Sequence, residues 1–544
     1  MIEIMGKKIS IEKNITLWEL SHDYKNQFEH EIILAKVNNK AKDLSEIIYK
    51  DSDYKIEFLD INDKNAFRAY QRTVIFLLVY AIKSLCGKKT RTFIKHSISK
   101  NYYCEIDQTV ITPDLLNKIK NKMHEAIKKN FLIEKLSLPK EKILSLTKEF
   151  RNDDIRLHFN RNSNLSLYKL DFYYDYYYSP MLYSLSYIKT FDLHMKLNGF
   201  VLQFPSFGNA YELKKIPPNE KISQVFLEYS QWLKILNLQT LTSLNNSICE
   251  NKSRELIYLC EALHENKIVK IANEICKHNK KIILIGGPSS SGKTTFSHRL
   301  SLQLRVNGMK PILISLDDYF LDRDKLPFDE NGEQDFEKLE VIDIKKLNYD
   351  LAKLLNGEEI ELPRFNFVSG KREKSGRIIK LEAEDILILE GIHGLNETLT
   401  NKINREFKFK IFVSALTQLN IDDHNRFSTT DTRMLRRIVR DNKFRGFGAR
   451  KTIQLWNKVI NGEKNYIFPY QEEADAFFNS ALVYEVAILK QFALPLLFDI
   501  KNFEPEYCEA NRLIRLLEPF LTMNVEYIPQ NSILREFIGQ SCFY

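Results

Sequence analysis

The run GGPSSSGKTTF at 286–296 concentrates more chemistry than any other stretch of this 544-residue chain. Gly287 to Thr294 read G-x-x-x-x-G-K-T, a spacing that lets successive backbone N–H groups turn toward one anion. Gly287, Ser289, Ser290, Ser291, Gly292, Lys293, Thr294 and Thr295 are therefore the expected phosphate-binding set. Lys293 can reach terminal phosphates, and the Thr294 hydroxyl can take a place on Mg²⁺. The helix that opens near Lys293 adds its positive end. An ordinary serine-rich turn is the plain alternative, but the run follows an apolar strand and opens the helical KTTFSHRLSLQLRV.

Two acidic sites repeat the strand-end pattern. ISLDDYF closes a strand on Asp317 and Asp318, and ILILEGIHG closes another on Glu390. In a doubly wound sheet the carboxyl ends of the strands face one ligand crevice. Carboxylates there can hold Mg²⁺ and accept the proton of an attacking hydroxyl. A third element, TTDTRMLRRIVRDNKFRG, crowds Arg433, Arg436, Arg437, Arg440 and Arg445 into one helical segment, with 433, 437 and 440 on a shared face. Such a run is usually a solvated basic helix. Beside a phosphate cradle it can instead neutralise developing charge.

Four short apolar runs, KIILIGG, PILISLD, DILILEGI and FKIFVSAL, alternate with helical patterns beyond residue 280. Short strands that are apolar on both faces imply a parallel sheet covered by helices on both sides. Upstream the pattern differs. The first sixty residues alternate strand-like pieces with one short helix, in the order of a small β-grasp module. Helical spacing follows at 66–86 and 113–130, and Phe172 to Tyr178 is a run of aromatics broken once by Asp175. Aromatic runs can stack on bases, but packing between a strand and its neighbours is the commoner use.

The totals agree with a multidomain enzyme. The chain is too long for one core. Its 18 glycines and 15 prolines are too few for long flexible linkers. A net charge of +9 suits phosphorylated ligands or weak RNA contact without demanding either. Seven cysteines, an odd number with no C-x-x-C, suit a reducing compartment. The longest apolar run, VIFLLVYAI at 74–82, is shorter than the ~20 residues of a membrane helix. MIEIMGKKIS lacks the apolar core of a signal peptide. The expectation is a cytoplasmic protein with no membrane partner.

GPSSSGKTT, SLDDYF, DFEKLEVID, LPRFNF, ILEGIHGLN and DTRMLRRIVRD, in this order over about 281–500, resemble the uridine kinase and phosphoribulokinase group of P-loop kinases. The resemblance implies ATP and Mg²⁺ as cofactors and a nucleoside 5′-hydroxyl as acceptor. It makes Asp317 the general base, with Lys293 also catalytic, and places Thr294 and Glu390 on the metal. Glu340 falls at the acid that holds the ribose. Arg437 falls near the substrate, Arg440 and Arg445 on the phosphates, and Tyr319, Phe365 and His393 along the substrate crevice. The family reads a pyrimidine with a tyrosine and a histidine where this chain has Phe365 and Gly370. That departure implies an apolar, roomy wall and altered or relaxed base recognition.

ILAKVNNKAKDL, the helix at 66–86 and KNYYCEI resemble the TGS and second domains of threonyl-tRNA synthetases. The editing motif His-x-x-x-His of that second domain is replaced by Tyr70-Gln71-Arg72-Thr73-Val74, which implies a scaffold without hydrolytic or zinc chemistry. The expected fold class is thus multidomain α/β: a TGS-like β-grasp module (1–62), an α+β domain (63–245), a connecting helix (246–280), a doubly wound P-loop kinase domain (281–500) and a C-terminal extension (501–544). A small nucleoside-like substrate is the expected partner. Weak RNA contact through the first module and self-association remain open, as do a regulatory P-loop NTPase and a kinase for another small alcohol.

Overall fold

A computed structural model describes residues 2–150, 164–217, 220–278, 280–326, 328, 334–366 and 369–543. The second half is built on five parallel strands in the spatial order Lys310–Ser315, Asp385–Glu390, Ile282–Gly286, Lys408–Ser414 and Ala476–Asn479. The strand that leads into the glycine-rich loop is central, and all five of its residues are buried. Ile285 pairs with Glu390, which pairs in turn with Ser315, so the loop and both acidic strand ends lie at one level of the sheet. An antiparallel hairpin, Ile360–Asn366 with Lys371–Ile379, stands over that edge.

One hydrophobic cluster runs from Leu233 to Ile538. It includes Leu256, Ile268 and Ile275 of the helix Ser253–Lys277, and Leu513, Ile533 and Phe537 from beyond residue 500. The connecting helix and the C-terminal segment therefore pack as parts of the kinase body.

The first sixty residues form a mixed five-stranded sheet. Ile2–Ile4 runs parallel to Tyr54–Leu59 at its centre, flanked by Lys7–Ile9 on one side and by Leu34–Val37 and Lys40–Lys42 on the other. The helix Lys64–Cys86 follows. It is long and apolar enough to cross a membrane, yet most of it is buried against a four-stranded antiparallel sheet and the helix Pro113–Lys128. Within it the Tyr70 hydroxyl donates to the Thr190 carbonyl (2.7 Å), and Thr73 Oγ1 accepts from Leu182 N (2.9 Å). The aromatic run is packing: Tyr173, Tyr176 and Tyr177 are buried, and Tyr173 donates to the buried Asp175 at 2.6 Å.

The two halves meet along residues 420–431, just before and at the start of the helix Thr429–Arg445. Ile94 N donates to the Asp423 carbonyl (2.8 Å), Asn420 Nδ2 to the Ile94 carbonyl (2.7 Å), and Arg91 pairs with Asp423 (2.9 Å). His424 bonds Asp175 at 2.6 Å. Below them Arg68 and Arg512 both hold Glu509, each at 2.7 Å, and Arg512 also holds Asp431. Burial works against the Glu509 charge, but Arg512 and Arg68 outweigh it and hold the carboxyl well below the usual carboxylate range. Stability from this network is complete above that range and is lost as pH falls through the depressed value. Glu509→Ala leaves two guanidiniums facing each other and should cost about 3 kcal/mol. Denaturant unfolding of the full chain at neutral pH checks this, and an unchanged midpoint contradicts it.

Candidate functional site

The cradle forms because its glycines stand where no Cβ fits. A Cβ on Gly287 would meet the Val413 carbonyl oxygen at 2.0 Å. Gly292 has φ +87°, and its Cβ would meet Ile533 at 2.5 Å. The helix Lys293–Val306 begins at once, so the loop and the positive end of a helix share one opening. The loop's carbonyls face inward and are all engaged. Lys293 Nζ donates to those of Gly287 (3.0 Å) and Pro288 (3.2 Å). Arg433 Nε donates to Ser289 (2.9 Å), Arg436 Nη1 to Ser290 (3.3 Å), and the Ser480 hydroxyl to Ser291.

Asp317 sits in the turn Leu316–Tyr319, where its own N–H donates to Ser315 Oγ (3.3 Å). Burial pushes its carboxyl up, opposed by Lys293 and Arg445. Glu390 accepts from Thr294 Oγ1 at 3.1 Å and is pushed by burial up to about 7. Burial pushes Lys293 down, against the pull of Glu390 and Asp317. The expected base, metal carboxylate, metal hydroxyl and lysine thus share one electrostatic environment. Asp318 does other work: its carboxylate accepts from Phe365 N (3.2 Å) and pins the hairpin.

The five arginines divide. Arg433 and Arg436 are buried in ion pairs with Glu463 and Glu485 and brace the loop. Arg437, Arg440 and Arg445 fan around the buried Asp441, at 3.2, 3.1 and 3.4 Å. Arg437 also donates to Ser289 Oγ at 2.9 Å, and the charges of Arg440 and Arg445 reach Asp317.

The expected substrate contacts differ in their surroundings, and the charges of Glu340 and Lys293 both reach His393. Glu340 is exposed to solvent. Three residues earlier, Glu337 is the acid turned inward: its Oε2 is buried without a partner, Arg437 and Lys293 lie within range of its charge, and burial pushes it up to about 7. Glu340 itself lies within the short 3₁₀ turn Leu339–Val341. Tyr319 is buried and its hydroxyl donates to Asp350 (3.1 Å), so it belongs to the core rather than the crevice. Phe365 is buried edge-on against Phe320, with ring centres 5.6 Å apart. His393 is buried near Tyr466, and burial lowers it to about 4, which keeps it neutral. Gly370 is not part of a roomy wall. Its φ is +68°, and a Cβ there would meet Arg323 Cδ at 2.4 Å.

Sequence reasoning missed one contact altogether. Glu536, in the short helix Arg535–Ile538, accepts from Thr295 N (3.2 Å) and Thr295 Oγ1 (2.9 Å). A carboxylate therefore holds an amide of the expected phosphate-binding set.

The residues present fit a nucleotide and a hard divalent cation. Ser290 Oγ and Ser291 Oγ are buried without protein partners, and the glycine loop excludes any Cβ. Thr294, Glu390 and Asp317 offer the few oxygen donors that Mg²⁺ uses when phosphates supply the rest. Among the described residues no group of three or more His, Cys, Asp or Glu could hold a metal ion by itself.

Residues 282–487 match the sequence model of the Phosphoribulokinase / Uridine kinase family. A uridine kinase of Staphylococcus haemolyticus (strain JCSC1435) is 32% identical over 199 residues, which is 36% of this chain and 86% of that protein. A uridine kinase of Staphylococcus aureus (strain JH9) is 31% identical over 196 residues, 36% of this chain and 84% of that one. Among solved structures, a possible uridine kinase from Bacillus stearothermophilus overlays with a TM-score of 0.27 at 20% identity, covering 39% of this chain and 97% of that one. That overlap is low, and the family assignment rests on the sequence matches. The chain belongs to the phosphoribulokinase/uridine kinase family of phosphotransferases.

Proposed function

We propose that the protein transfers a phosphoryl group from ATP to the 5′-hydroxyl of a nucleoside, with base recognition altered or relaxed. The carrying observation is the meeting of Asp317 and Glu390, from two strand ends, at the Lys293 cradle. Thr294 and Glu390 would hold Mg²⁺, which supplies charge neutralisation along the phosphates. Asp317 accepts the proton of the acceptor hydroxyl, and its burial raises its basicity for that task. Lys293, Arg440 and Arg445 stabilise charge on the transferring group. Glu337, beside Arg437 and with a free acceptor oxygen, takes the ribose hydroxyls in place of Glu340.

Phe365 presents carbon where a pyrimidine reader needs a hydrogen-bonding group. An apolar surface discriminates only ~10–200-fold, which supports relaxed recognition. In the N-terminal half, the central parallel pairing of the first and last strands supports a TGS-like β-grasp module at 1–62, followed by the α+β domain.

The direct test is ATP consumption against a panel of nucleosides and sugar alcohols, with the product identified by mass spectrometry. ATP turnover that no acceptor stimulates would show an NTPase instead. Asp317→Asn should retain ATP binding and lose ~10²–10⁴-fold in acceptor-dependent rate; an unchanged rate moves the base elsewhere. Glu337→Gln should raise the KM for nucleoside by tenfold or more, the ~1.5–3 kcal/mol of a hydrogen bond to a charged group, while Glu340→Gln leaves it near the parent value. The reverse pattern would return the ribose to Glu340. Glu536→Gln removes negative charge from the first turn of the cradle helix and should lower the KM for ATP by ~2–5-fold. A raised KM would make Glu536 part of the ATP site.

A further inference from the structure

A second polar cavity lies in the seam between the halves, away from the cradle. The helix Lys64–Cys86, the turn at 178–180, residues 421–431 and the helix Tyr507–Leu517 enclose a volume of about 280 Å³. Four arginines line it: Arg68, Arg72, Arg426 and Arg512. A smaller opening beside it shares three of them and adds Arg515.

The charges do not balance. Arg68 and Arg512 share Glu509, and Arg512 also holds Asp431. Arg72 donates only to a neutral group, the Pro180 carbonyl, from Nε at 3.1 Å and Nη2 at 2.6 Å. The Arg426 guanidinium lies 4.7 Å from the centre of the Tyr102 ring, and its Nε is buried without a partner. Neither Arg72 nor Arg426 forms an ion pair among the described residues. Burial lowers Arg72 to about 10, which leaves it charged at neutral pH, and burial lowers Arg426 as well. Asp431, which also lines the cavity, acts on Arg426 but is already held by Arg512, so the cavity carries more cationic than anionic charge, and an added anion would restore the balance.

The shape of the lining narrows the anion. Guanidinium forks match phosphate oxygens in pairs. The Thr430 hydroxyl belongs to the lining, whereas the neighbouring Ser428 hydroxyl caps the helix Thr429–Arg445 and is engaged with Asp431. Tyr102 and Tyr178 supply aromatic walls. The volume sits at the small end of ligand pockets, ~300–1,000 Å³. We propose that this cavity binds a small phosphate-bearing molecule, no larger than a mononucleotide, through Arg72 and Arg426 and independently of the P-loop.

The test is isothermal titration of the full chain with pyrophosphate, using the Lys293→Ala variant to weaken the P-loop site and ADP to occupy it. The expected result is one saturable site in Lys293→Ala with ADP present, weakened at least tenfold when Arg72→Met or Arg426→Met is added. Arg72→Lys, which keeps the charge and loses the fork, should fall between. Absence of saturable binding in Lys293→Ala overturns the proposal whatever the other variants do. So does unchanged affinity in both methionine variants with the parent circular dichroism.

Discussion

A loop that turns its N–H groups toward a phosphate must turn its carbonyls the other way, and here they turn into protein. Each buried carbonyl left without a donor costs ~1–3 kcal/mol. Lys293, Arg433, Arg436 and Ser480 supply donors for five consecutive residues, Gly287 to Ser291. Two of those donors are guanidiniums that need counter-charges, and the buried Glu463 and Glu485 provide them. Much of the second half is arranged by this requirement. The arginine helix must cross behind the loop, and the helices that carry Glu463 and Glu485 must pack against it. One helix thus carries both sets, with Arg433 and Arg436 facing the loop from behind and Arg437, Arg440 and Arg445 gathered around Asp441.

The parts legible in the sequence were those whose signal is local. The strand, glycine loop and helix at 282–306 are adjacent in the chain, and Asp317 and Glu390 are marked by the strands they terminate. Side-chain direction within a turn is not legible in the sequence. Glu337 and Glu340 share one short motif, but Glu337 is turned toward Arg437 while Glu340, inside the 3₁₀ turn Leu339–Val341, is exposed to solvent. Tyr319 shares a tight turn with Asp317 and is carried to its opposite side, onto Asp350. Gly370 looked like an absent side chain in an open wall; its left-handed backbone and the packed Arg323 show a filled one. Glu463 and Glu485 lie 30 and 49 residues from their arginines, with no local pattern that pairs them.

The two halves are not beads on a string. The segment that leads into the arginine helix is hydrogen-bonded to the strand Thr92–Ile98, and its His424 is held by an aspartate from the aromatic run. The first turn of that helix is tied through Asp431, Arg512 and Glu509 to Arg68. The N-terminal half therefore contacts both the segment that leads into the arginine helix and, through Arg512 and Glu509, its first turn.

The contact between Gly292 and Ile533 also bears on the order of assembly. Thr295 and its partner Glu536 are 241 residues apart in the chain. On the ribosome, where domains fold as they emerge, the sheet and the cradle can be synthesised long before the segment that packs against them. The glycine at the mouth of the cradle stays uncovered until the chain has been made past residue 538. Completion of the nucleotide site is in this sense a late event of synthesis, and a transcript cut short near its end yields a kinase body with its cradle unbraced on one side.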